Sequence, residues 1–284
     1  MGILRTPVGA AGSAVITVLA AVAALAPTLA THDPRAPSGF PLDLPSGRHL
    51  LGTDGIGRDL FSQLVWGARS SLSVAVAVTT LSLLASLAVG VGGGYLGGLA
   101  GTVAARVIDV FVAAPRLPVI LIVAALAGGG RASIIVVIAL FSWAPGARIL
   151  RSQTLSLRQR GYVGVAGGLG GGPLYVMRRH LVPALGPLVI AIAVAVAAGS
   201  VLAEAGLSFL GIGDSGSVSW GMTLNRAQLE PQLFLNPIWK WWVLPPALAI
   251  SSAVFGFALL GLAFEPIMNP RADQSTRAPA VASS

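Results

Sequence analysis

The chain contains no cysteine, only one lysine (Lys240) and just ten acidic residues. Without thiols there is no disulfide framework, no cysteine-based metal site and no thiol nucleophile. The single lysine also removes a Walker-type phosphate loop, in which a lysine must follow the glycines to reach the phosphates. Here the run "GGLGGGPLY" at 167–175 is followed by no lysine. A dinucleotide fingerprint fails as well, since no strand precedes the glycines and no acidic residue follows them. His32, His49 and His180 are far apart in sequence, so no metal site is expected from them. No cluster of serine, histidine and carboxylate suggests a hydrolase, and the chain is expected to perform no chemical step.

Charge of either sign is scarce. Only 10% of the 284 residues are charged, while 55% are hydrophobic. Soluble domains carry about 25% charged residues. A chain so poor in charge cannot cover its surface in water, so the membrane is its expected solvent. The formal net charge of +8 does not imply nucleic acid, because the arginines sit between apolar runs and read as topology signals.

Six stretches reach, or come close to, the roughly 20 apolar residues that a spanning helix needs: 6–31, 70–105, 107–126, 132–147, 181–203 and 241–264. The second is long enough for a span plus the glycine-rich turn "GVGGGYLGGLAG". The third holds Asp109 and Arg116, and the fourth is short. The first has a second reading as a cleaved signal peptide, with Arg5, an apolar run and "TLA" before Thr31. The loop between the fourth and fifth spans carries Arg148, Arg151, Arg158, Arg160, Arg178 and Arg179 with no acidic residue to offset them. The positive-inside rule makes this loop cytoplasmic. Alternation then places both termini inside and the segments at 32–69 and 206–240 outside. The expected organisation is a cytoplasmic N-terminus (1–5), a first span (6–31), an external segment (32–69), and a core of five spans (70–269) with a coupling loop at 148–183. A small, polar, disordered cytoplasmic tail (270–284) follows.

The stretch "GYVGVAGGLGGGPLYVMRRHLVP" (161–183) lies in that arginine-rich loop. Each glycine costs a helix about 1 kcal/mol relative to alanine. In return it lets another surface approach the backbone closely. Small residues between basic flanks suit a short helix lying in a partner's cleft.

The same stretch resembles the cytoplasmic signature loop of ABC importer permeases, in which a Glu-Ala-Ala run is followed by a glycine and later by a proline. On that pattern Tyr162 and Val163 lead in, Val165 and Ala166 take the alanine places, and Gly170 takes the glycine. His180 and Pro183 fall in the ending. Gly164 stands where the family usually has glutamate, so apolar packing and basic flanks must carry any contact. The resemblance narrows to the dipeptide/oligopeptide and nickel permeases at "HLLGTDGIGRDLFSQLVWGARSSL" (49–72), "FSWAPGARILRSQTLSLRQRGYV" (141–163), "LAEAGLSFLGIG" (202–213) and "SWG" (219–221). It covers 49–270 and fits the shorter of the two permease partners.

The resemblance implies an all-α integral membrane protein of the type I importer class, with six spans and a coupling helix between the fourth and fifth. It implies a bacterial inner-membrane permease subunit importing di- or oligopeptides, with nickel or another small ligand as the alternative cargo. The implied partners are a second homologous permease, two ABC ATPase subunits that use ATP and Mg²⁺, an external substrate-binding protein and membrane lipid, with no nucleic acid. This chain itself would bind no cofactor. The coupling residues carried over are Tyr162, Val163, Gly164, Val165, Ala166, Gly167, Leu169, Gly170, Arg178, His180 and Pro183.

Other residues stand out, each with more than one reading. Asp54, Arg58 and Asp59 suit a calcium or phosphate site, a structural turn in which Arg58 pairs with an aspartate, or a rim that docks the external binding protein. Arg116, between Pro115 and Pro118, either snorkels or faces the pathway or a neighbouring helix. Glu204 is either a functional ionisable group or a solvated or arginine-paired carboxylate, and with Ser208 and Phe209 it is a candidate outer gate. Arg106 and Asp109 have the spacing of a helix pair. Trp220, Trp239, Trp241 and Trp242 suit an aromatic belt on the outer side of the last span, with substrate contact as the other reading. An ion-coupled secondary transporter needs intramembrane carboxylates or broken helices around an ion site; only Glu204 and Asp109 are candidates, and neither is expected deep in a span. A non-transporting membrane scaffold is the remaining alternative.

Overall fold

The computed structural model describes residues 6–213, 216–235 and 237–268. The tail expected to be disordered, 270–284, lies outside the described residues, as does the N-terminal 1–5. Among the described residues all regular elements are helical, and the one strand-like feature is an isolated bridge between Thr53 and Asp59.

Helix α1 is Pro7–Ala24, with Thr6 as its N-cap accepting the Gly9 N–H at 3.1 Å. Helix α2 is Leu60–Leu96, with one wide turn at Leu87–Val91. Asp59 caps its start by accepting the Ser62 N–H at 2.7 Å. The cap places the helix start at Leu60, so 60–69 belong to the second helix and not to the external segment expected at 32–69.

Helices α3 (Gly98–Ala113) and α4 (Arg116–Leu126) occupy the place of the third span, and their axes differ by 89°. The expected straight span at 107–126 is therefore corrected to a broken pair. Pro115 has no N–H to give and forces Ala114 into an extended conformation (ψ 135°). Among the described residues, five helices are long and apolar enough to cross a membrane, or six if this pair counts as one span.

Helix α5 (Arg131–Arg158) runs past the expected end at 147 and carries Arg148 and Arg151 within it, despite Pro145. A neighbour holds it: Ser82 and Ser86 on α2 donate their hydroxyls to the carbonyls of Ala139 (3.4 Å) and Trp143 (2.7 Å). Helix α6 is Gly161–Gly168 and α7 is Gly186–Phe209. Helix α8 (Trp220–Gln228) starts on the Ser219 cap, and α9 is Leu244–Met268.

Between apolar helices in lipid, close packing and interhelical hydrogen bonds take over from the hydrophobic effect. The small residues expected at such contacts are there. A Cβ on Gly90 of α2 would lie 2.6 Å from the Ala147 carbonyl of α5, and one on Gly12 of α1 would lie 2.9 Å from the Gly256 carbonyl of α9. The main core joins Val74 and Val78 of α2, Ile138 and Leu150 of α5, and Ile192 and Val196 of α7. It continues without a break to Val163, Val176 and Leu181.

With about 1.5 Å of rise per residue, the 37 residues of α2 separate its ends by about 55 Å. The 31–59 segment and α8 sit at the Leu60 end, where Arg226 of α8 approaches Gln63. At the other end Gly97 lies against the Arg158 side chain, and Tyr95 packs on the cluster that holds Val163. The arginine-rich loop and the 31–59 segment therefore lie at opposite ends of the bundle.

Candidate functional site

Helix α6 is short and rests on the core through Val163 and, in part, Ala166. Val163 is buried in the core with Val176 and Leu181, whereas Tyr162, Val165 and Leu169 are exposed. Its C-terminus closes as a Schellman motif: the Gly171 N–H reaches the Ala166 carbonyl at 3.1 Å, and the Gly170 N–H reaches that of Gly167 at 3.1 Å. Gly170 has φ +90°, a conformation that favours glycine. The short helix expected in the 161–183 stretch thus ends at Gly168, and the following glycines make a turn.

After the turn, Pro173–Val176 starts a new helical segment, which widens to an i+5 turn at Met177–Leu181. That spacing sets Tyr175 edge-on to His180, with ring centroids 5.8 Å apart, while Tyr162 approaches the other way at 6.4 Å. The result is a concave surface of about 710 Å³ lined by Tyr162, Val165, Ala166, Leu169, Tyr175, His180 and the Gly170–Gly172 backbone. Leu174, Arg178 and Arg179 line an adjoining hollow. A Cβ on Gly164 would meet nothing within 4 Å, so this glycine satisfies no packing need inside the chain. Gly167 is also exposed, and Pro183 is exposed in the short helix Val182–Ala184 that leads to α7. The structure therefore brings together most of the residues expected in this loop. Sequence reasoning missed Tyr175 and Leu174, because only the wide turn reveals which face they share with His180.

A second site lies mid-bundle. Arg116, the first residue of α4, donates to Ser142 Oγ of α5 at 2.7 Å, and its guanidinium lies 3.8 Å from where a Cβ on Gly199 of α7 would be. Ser142 and Gly199 are both near the middle of their helices. Arg116 thus stands between helices and does not snorkel to an end. It supplies the polar corner of an otherwise apolar cavity of about 480 Å³, whose wall includes Leu117, Ile120, Leu202, Ala203 and Leu207.

Glu204 of α7 is buried. It accepts the Ser71 hydroxyl from α2 and the Ser208 hydroxyl one turn along α7, both at 2.9 Å. It is neither solvated nor arginine-paired. Phe209 is half-exposed and acts through its carbonyl, which accepts from Asn225 (2.7 Å) and Gln228 (2.9 Å) of α8. Arg106 and Asp109 are both exposed and form no ion pair. Trp220 is buried and donates to the Leu64 carbonyl at 3.0 Å, and Trp242 is buried too. Neither of these two therefore belongs to an interfacial belt.

Asp54 and Asp59, expected at a docking rim, both have buried carboxylates. Asp54 pairs with Arg58 at 2.7 Å and accepts from Gln63 at 3.0 Å. Arg226 of α8 adds a bond to the Ser217 carbonyl at 3.1 Å. Burial, with the nearby Arg58 charge, pushes the Arg226 guanidinium below its ordinary value, and Asp54 partly offsets this. These groups tie the 31–59 segment to α2 and α8.

Comparisons with known proteins bear on both ends. Residues 82–274 match the family described as binding-protein-dependent transport system inner membrane component. A Brucella suis protein named as a peptide permease is 36% identical over 230 residues, covering 81% of this chain and 75% of that one. The nickel transport system permease protein NikC of Escherichia coli is 33% identical over 263 residues, covering 90% of this chain and 91% of that one. The dipeptide transport system permease protein DppC of Bacillus subtilis is 31% identical over 264 residues, covering 92% of this chain and 81% of that one.

Proposed function

The chain belongs to the family of binding-protein-dependent transport system inner membrane components, and from that membership we propose that it is one of two permease subunits of an ATP-driven importer of di- or oligopeptides. A second, homologous permease completes the pathway. Two ATPase subunits use ATP and Mg²⁺ on the cytoplasmic side, and an external binding protein delivers cargo. This chain is non-catalytic, and both termini are cytoplasmic.

The observation that carries the reading is the exposed face of α6. It presents Tyr162, Val165 and Leu169 to the surroundings while Val163 anchors the helix to the core. Exposed apolar side chains grouped on one short helix suit a contact site. ATP-driven closure of the ATPase pair moves α6, and the joined helices α5 and α7 tilt with it. That motion switches the cavity between inward-open and outward-open. Arg116 lines the pathway and offers a cation to a peptide carboxylate. The likeness to the nickel permease, over most of both chains, supports nickel or another small ligand as the second reading.

Because the chain has no cysteine, a single cysteine at 165 gives a clean test. In inside-out vesicles it is labelled by an impermeant maleimide, and bound ATPase subunits protect it. Labelling from the external side overturns the reading. Uptake of a labelled dipeptide against labelled Ni²⁺ separates the two cargoes.

A further inference from the structure

Two imidazoles and a carboxylate, distant in sequence, converge at the Leu60 end of α2. Asp59 is fully buried. Its Oδ2 accepts the Ser62 N–H at 2.7 Å and faces the Thr31 hydroxyl at 3.4 Å. Its Oδ1 lies 2.9 Å from His49 Nδ1 and 4.0 Å from His32 Nδ1. The two rings are 4.7 Å apart and tilted by 32°, and one ligand atom from each of the three residues falls within 4.8 Å of the other two. His49 is buried and His32 partly exposed.

Asp54, five residues away, shows what sets Asp59 apart. Both carboxylates are buried, but Asp54 has the Arg58 guanidinium at 2.7 Å. Among the described residues no arginine or lysine lies within ion-pair range of Asp59, whose titratable neighbours are the two imidazoles. A buried carboxylate is hydrogen-bonded, paired with a cation or bound to a metal ion. Two imidazole nitrogens and one carboxylate oxygen make a ligand set for Zn²⁺ and its late first-row neighbours, whereas Ca²⁺ and Mg²⁺ require mostly oxygen.

We propose that His32, His49 and Asp59 form a three-ligand site for a Zn²⁺-class divalent ion, which clips the segment between α1 and α2 to the first turn of α2. Metal–ligand bonds of about 2.0–2.2 Å in a tetrahedron imply ligand separations of about 3.4 Å. The observed 2.9 and 4.0 Å from Asp59 Oδ1 bracket that value, and all three ligand atoms lie within 4.8 Å of one another, so shifts of at most about 1.4 Å close the site. His49 then carries its hydrogen on Nε2 and leaves Nδ1 free to bind. The His32 backbone is already fixed, its N–H donating to Ser62 Oγ at 3.0 Å. The exposed side of His32 leaves a fourth position to water. The site lies about 55 Å from α6, by the rise of α2, and does not depend on which cargo is carried.

The test is titration of the purified, EDTA-stripped full chain with Co²⁺. Tetrahedral d–d bands should saturate at one ion per chain, and Zn²⁺ but not Ca²⁺ should remove them. His32→Ala alters a partly exposed ring and should keep the fold while weakening binding by at least about tenfold. Asp59→Asn should weaken it too, and His180→Ala should leave it unchanged. Absence of saturable bands, displacement by Ca²⁺, or full binding by His32→Ala overturns the proposal.

Discussion

The Ser71 hydroxyl on α2 donates to Glu204 Oε2 on α7 at 2.9 Å, joining two spanning helices 133 positions apart. The carboxylate is buried, and Ser208 completes it at 2.9 Å. With no compensating guanidinium, its hydrogen bonds are what make burial tolerable.

Glu204→Ala should therefore destabilise the chain by about 1–3 kcal/mol, because two buried hydroxyls lose their acceptor. Glu204→Gln should cost less, since the amide oxygen still accepts one of them. Unfolding of the detergent-solubilised protein measures both, and equal losses would contradict this account.

At α6, stability and coupling should separate. Val163 is buried and Leu169 exposed, so Val163→Asp should loosen the loop and lower unfolding resistance. Leu169→Glu should leave unfolding unchanged yet reduce capture of the ATPase subunits and transport. Co-purification beside thermal unfolding reads the split.

The glycines of the loop should divide in the same way. Gly170→Ala forces an L side chain to φ +90° and should cost about 1–2 kcal/mol. Gly164→Ala meets nothing inside the chain and should favour the isolated helix by up to about 1 kcal/mol. If a partner packs on that backbone, Gly164→Ala still lowers coupled ATP hydrolysis. ATPase assays on the reconstituted complex decide it.

Arg116→Met keeps most of the side-chain volume and removes the one cation of the mid-bundle cavity. Peptide uptake should fall while the assembly stays intact, because the Ser142 contact at 2.7 Å is the only hydrogen bond shown for the guanidinium. Uptake by the wild type should also weaken for peptides with an amidated C-terminus. Unchanged uptake by Arg116→Met would remove Arg116 from the pathway.

Amino-acid order alone identified a membrane protein, the arginine-rich loop and the small-residue stretch at 161–172, because these depend on composition and local spacing. The type of the fold was legible for the same reason, since a backbone in lipid must satisfy its own hydrogen bonds and helices do so locally. The break at Pro115 was visible as a proline, but its 89° consequence depends on what α4 packs against. Whether Glu204 is exposed, whether Asp54 and Asp59 reach a surface, and which ring faces His180 were decided only by the tertiary structure. So was the meeting of His32 with His49. These relations join residues on different elements, and a one-dimensional pattern carries no distance between them.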